Sequence, residues 1–154
     1  MRNFKSLCMM SLVAVFVTQA GDRTSSGQAV VTGQDAKRFI GTWRIISENQ
    51  TGLMIYDGSG NMAAQVMPLR ARPKYAAAEP TPDEAKAAIT GYIAYFGTYS
   101  VDERAHKITH HRKGSINPGQ IGVDAVRGYD FASDDRVVLT PAENNARIIW
   151  ERVR

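Results

Sequence analysis

Three histidines, His106, His110 and His111, fall within six residues of one another, and imidazoles so grouped can ligate a metal, act as a general base or receive an acidic ligand. Strand geometry argues against the metal. Four residues of extended chain put His106 and His110 about 13 Å apart, and His110 and His111 point to opposite faces. A serine-histidine-acid triad finds no support in the pattern, because no serine sits in a nucleophile elbow and no strand-to-helix turn is at hand to strain one. Asp57-x-Ser59-x-Asn61 has the first spacings of a calcium loop, but Met62 stands where glycine is required and Pro68 where the bidentate glutamate belongs. Gly58-Ser-Gly60 lacks the Lys-Ser/Thr of a phosphate loop. The pattern calls for neither a metal nor a cofactor.

What remains is a polar set on otherwise apolar strand faces: His110 and Arg127, with Tyr95, Tyr99 and Tyr129. An inward arginine is costly unless something anionic or π-rich meets it. These residues can satisfy one another in a filled core. They can equally line a cavity, since apolar walls with a few convergent polar groups are the usual make-up of a small-molecule site. The cavity is the preferred expectation, holding a small, largely apolar ligand whose acidic or carbonyl end meets Arg127 and His110, with the stretch from Pro68 to Pro80 over its mouth. The alternative is a cofactor-independent isomerase, cyclase or dehydratase, with His110 as general base and Tyr99 or Arg127 stabilising developing negative charge.

The elements that must position this set are strands. Phe39 to Ser47 alternates, with Trp43, Ile45 and Ser47 on one face, and Gly41 leaves room for backbone to approach the indole of Trp43. A turn at Gln50–Gly52 leads to a second strand ending at Asp57-Gly-Ser-Gly60, and Asn61 to Met67 returns as a third. Thr81-Pro-Asp-Glu84 has the residues of a capping box with proline at the first helical position, which predicts one short helix over about 82–90 that stops at Gly91. Its narrow stripe of Ala85, Ala88 and Ile89 is suited to rest on a barrel rim. Period-two runs then predict a fourth strand to Val101, a fifth over about 106–115 and a sixth from Ile121 to Phe131. The sixth carries Arg127 on the same face as Val123, Tyr129 and Phe131. Strands near 136–140 and 146–153 complete eight, the number for an all-β, antiparallel up-and-down barrel with no free edge. A β-bulge between Arg112 and Ser115 would leave His110 inward.

Residues 1–20 read as a signal peptide, with Arg2 and Lys5 before an apolar run from Leu7 to Val17 and Thr18-Gln-Ala20 as cleavage site. That run of about eleven residues is short of the roughly twenty that span a bilayer, so the expectation is an exported, periplasmic or secreted protein with no stable membrane insertion once the leader is removed. The leader holds two of the nineteen basic residues and none of the fifteen acidic ones, which leaves a net charge of +2. That is no nucleic-acid signature. The only cysteine, Cys8, also lies in the leader, so the mature chain has neither thiol chemistry nor disulfides. Residues 21–36, rich in Gly, Ser and Thr, read as a flexible leader before a single domain over 37–154.

Gly41-Thr-Trp-Arg44, Gly52-Leu-Met-Ile-Tyr56, Tyr92-Ile-Ala-Tyr-Phe-Gly-Thr-Tyr-Ser-Val101, Thr109-His-His111, Arg127-Gly-Tyr129 and Trp150-Glu-Arg-Val153 together resemble the lipocalin-like domain family of small bacterial and fungal proteins. The resemblance implies a calycin-type barrel. It also implies that Trp43 packs at the closed end with the guanidinium of Arg152, from the last strand, over its ring.

Overall fold

The structure, a computed structural model, describes residues 32–154. The signal peptide expected over 1–20 and most of the leader expected over 21–36 lie outside the described residues. A short helix α1 (Gln34–Phe39) is followed by β1 (Gly41–Ile46), β2 (Gln50–Tyr56), β3 (Asn61–Pro68), helix α2 (Pro82–Ile89), β4 (Ile93–Asp102), β5 (Lys107–Ser115), β6 (Asp124–Ser133), β7 (Arg136–Pro141) and β8 (Ile148–Arg152). Each strand pairs antiparallel with the next, and β8 returns to β1 with Trp43 opposite Arg152. The eight strands form a closed barrel.

Side chains of period two fill the barrel. Trp43, Met54, Tyr56, Met62, Ala64, Tyr95, Tyr99, Ile108, Tyr129, Leu139 and Trp150 belong to one buried cluster, as expected when every strand turns alternate residues inward. One end is closed by α1. Phe39, expected in the first strand, is instead the last residue of this helix, and Ile40 turns the chain into β1. The Phe39 ring is fully buried and packs edge-on against Tyr56 and Tyr129, while its carbonyl accepts a 2.7 Å bond from Trp43 Nε1. Glu103, from the β4–β5 turn, accepts from the backbone N–H groups of Asp35 and Ala36, so the plug is tied on from two sides.

Two further sequence expectations shift at their boundaries. Gln50–Gly52 is the start of β2 and not a turn, because Gly52 lets the backbones cross closely: a Cβ there would stand 2.2 Å from the carbonyl oxygen of Gln65. The sixth strand starts at Asp124, three residues later than expected. Gly122, at φ +76, turns the chain there, and Ile121 and Val123 are left exposed.

The helix α2 has its capping box, with Thr81 Oγ1 accepting from Glu84 N and Glu84 Oε2 accepting from Thr81 N, and Gly91 follows at φ +76. It does not rest on the rim. It buries no side chain, and Ile89 is 56% exposed. The helix is instead clipped to its own connection, where Arg70 and Arg72 donate to the carbonyls of Thr90 and Ala88, the orphan acceptors of a helix C-terminus.

Candidate functional site

His110 occupies the middle of β5 on the inner face and is wholly buried. Register places it opposite Tyr99 of β4 and Ala125 of β6. β5 carries a bulge within Arg112 to Ser115, the stretch where one would leave His110 inward. Phe96 faces Gly114 and Gly97 faces Arg112, so Lys113 is the extra residue, and it lies beyond His110, whose orientation it leaves intact.

Both imidazole nitrogens are taken. Nε2 is 2.7 Å from the hydroxyl of Tyr56 and Nδ1 is 2.9 Å from that of Tyr95. Arg127 Nη2 donates to Tyr95 Oη at 3.3 Å, and Tyr56 Oη donates to Met54 Sδ at 3.1 Å. A neutral imidazole has one donor and one acceptor, and one assignment satisfies every member. Arg127 donates to Tyr95, Tyr95 to His110 Nδ1, His110 Nε2–H to Tyr56, and Tyr56 to Met54. The Nε2–H tautomer follows from this network.

Electrostatics agree with a neutral ring. Burial holds the His110 pKa well below 6.5, and the charges of Arg127, Arg112 and His111 lower it further. Burial likewise raises the Tyr56 and Tyr95 hydroxyls, with Arg127 pulling both back. In this arrangement both ring nitrogens of His110 face phenols, and the ring holds Tyr95 in place.

The expected set divides in two. His110, Arg127 and Tyr95 come together as one chain of hydrogen bonds. Tyr99 and Tyr129 belong to the closed end, where Tyr99 donates to the carbonyl of Asp57 and Tyr129 to the carboxylate of Asp35, each at 2.9 Å. Arg152 Cζ lies 4.3 Å from the Trp43 ring centroid, and Gly41, at φ +133, leaves the space into which Arg152 Nη1 fits. At Gly41 it is a side chain, not the backbone expected from the sequence, that takes the space.

Two participants were not singled out from sequence. Tyr56 shares the inner face of β2 with Met54, a signal already present in the alternation. Arg112 is two residues from His110 and inward by the same count. It donates through Nε to the carbonyl of Val123, and its Cζ is 5.8 Å from the Tyr95 ring centroid. Two half-buried guanidiniums thus flank Tyr95, and among the described residues neither has a carboxylate within salt-bridge distance. The buried indole Nε1 of Trp150 likewise has no acceptor among the described residues.

The first two strands part beyond their fourth pair. β1 and β2 pair only from Gly41–Tyr56 to Arg44–Leu53, so Ile45 and Ile46 on one side and Gln50 to Gly52 on the other have no partner across the gap. A cleft of about 610 Å³ opens there, lined by Ile45, Gly52, Val66, Leu69 and Tyr92 among others. The connection after β3 leaves from this same end, and its residues 69–83 are all exposed.

No protein of curated function matches the sequence. The profile of the lipocalin-like domain matches residues 28–153, which is nearly all of the described chain, and the closed antiparallel barrel of eight strands is the architecture it implies. The chain belongs to the lipocalin-like domain family, whose barrel points to small-ligand binding in general.

Proposed function

We propose that this is an exported protein, periplasmic or secreted, that binds a small, largely apolar molecule with an acidic or carbonyl end at the open end of the barrel. The carrying observation is Arg127: a half-buried inner-face guanidinium whose hydrogen bond is to a phenol and which has no carboxylate in reach among the described residues. A buried charge without a counter-charge is costly, and an anionic head group would supply one. Arg112 adds a second positive charge beside Tyr95. Export is supported by the basic, apolar and small-residue order of residues 1–20.

Binding is favoured over the isomerase alternative because both ring nitrogens of His110 are occupied by phenols. Calorimetric titration with medium-chain carboxylic acids and their methyl esters tests the proposal. The acids should bind more tightly than the esters, and Arg127→Leu should weaken the acids by roughly 10–100-fold, the worth of a charged hydrogen bond. Equal binding of acid by wild type and Arg127→Leu would refute it. Intact-mass measurement of the exported protein should give a chain that starts at Gly21.

A further inference from the structure

The outer wall of the barrel carries a second constellation, independent of the ligand site. Thr98 of β4, His111 of β5 and Asp124 of β6 stand opposite one another across three strands, and Ser100 lies two residues along β4 on the same outward face. His111 Nε2 is 2.9 Å from Ser100 Oγ, and His111 Nδ1 is 2.9 Å from Asp124 Oδ1. With Asp124 accepting Nδ1–H, the lone pair of Nε2 faces the serine hydroxyl. Nucleophile, base and orienting carboxylate are therefore in sequence, each at hydrogen-bond distance. The side chains of His111 and Asp124 are 40% and 55% exposed, so an acyl donor can reach them from solvent.

We propose that Ser100 is an activated nucleophile that takes the acyl group of small esters with good leaving groups, aryl esters being the simplest. Ser100 Oγ forms a bond to the ester carbonyl carbon as its proton passes to His111 Nε2. The carbon–oxygen bond to the leaving group then breaks, and that oxygen takes the proton from His111. Water, deprotonated by the same nitrogen, cleaves the acyl-serine and returns the hydroxyl.

Asp124 remains ionised throughout and fixes the tautomer. The backbone N–H groups of these strands belong to the barrel's ladders, so stabilisation of the oxyanion falls to hydroxyls on the same face, Thr109 opposite Ser100 and Thr98 opposite His111. That restricts the substrates to esters whose leaving group departs easily. A cleft of about 470 Å³ lined by Ile55, Asn61, Ala63 and Phe96 adjoins Thr98, which pairs with Asn61, and offers apolar surface to a short acyl chain.

The test is incubation of the protein with p-nitrophenyl acetate, following release of p-nitrophenol and mapping acetyl groups by peptide mass spectrometry. Release should be abolished in Ser100→Ala and reduced by roughly 10²-fold or more in His111→Gln, the usual worth of a general base, with Asp124→Asn also impaired and circular dichroism unchanged in all three. Acetyl on Ser100, or sustained turnover lost in Ser100→Ala, supports the assignment. Release that persists in Ser100→Ala, or Ser100 acetylated equally fast in His111→Gln, overturns it.

Discussion

The guanidinium of Arg152 lies over the indole of Trp43 with Cζ 4.3 Å from the ring centroid, and its Nη atoms donate at 2.7 Å to the carbonyls of Ile40 and Arg38. One side chain thus joins the last strand, the first strand and the end of the plugging helix. Trp43→Ala should cost about 3–5 kcal/mol, as expected for a fully buried large ring, measured by urea denaturation.

Gly41→Ala should also destabilise, for a different reason. At φ +133 a side chain is strained, and its Cβ would stand 2.7 Å from Arg152 Nη1. A loss of about 1–3 kcal/mol is expected, and Arg152→Ala should relieve the clash but not the backbone strain. A double-mutant cycle separates the two.

Stability should fall in mild acid through His110. The folded state keeps the ring neutral well below pH 6.5, whereas the unfolded chain takes up a proton near its ordinary value. The contribution is therefore present above about pH 6.5 and is lost as pH drops from there toward the depressed folded value, at about 1.4 kcal/mol per pH unit from this group. Urea midpoints across this range check the slope, which His110→Phe should flatten.

The opposite sign holds in alkali. Tyr99 is pushed up to about 12 by burial and by Asp57, and Tyr56, Tyr95 and Tyr129 are raised, each chiefly by burial. The unfolded chain ionises these phenols from about pH 10 and the folded chain does not, so stability declines as pH rises above that value. Tyrosinate absorbance should show four of the six tyrosines ionising together with loss of the barrel's circular dichroism.

Thr81→Ala should speed amide exchange in Pro82–Ile89 while leaving the barrel's unfolding midpoint nearly unchanged. Loss of an N-cap costs about 0.5–2 kcal/mol of helix stability, but α2 buries no side chain and so transmits little of it to the strands.

Period-two alternation makes most of the barrel legible in the sequence, because a closed sheet with one buried face leaves each strand a single choice of register. It fails at Phe39 and at Ile121 to Val123. An apolar residue beside a strand looks like strand, but Phe39 is claimed by a helix that plugs the barrel end, and Ile121 and Val123 sit in an exposed turn. The inward direction of His110 and Arg127 follows from the same alternation. Their partners do not, since Tyr56 comes from β2 and reaches His110 only through closure of the barrel. Ser100, His111 and Asp124 show the same limit: three polar residues on outward faces look solvated until the register of three strands sets them side by side.

The pairing that shuts the barrel has a kinetic side. Arg152 bonds to Ile40, 112 positions earlier in the chain, so the loop that must close before these contacts form is almost as long as the folded unit itself. Local hairpins β2–β3 and β4–β5 can assemble early, whereas β1 and β8 are expected to meet last in a topology of high contact order. Until they do, both strands have a bare edge that can pair with another chain. Refolding yield should therefore fall with protein concentration most steeply in variants that weaken the Trp43–Arg152 lock.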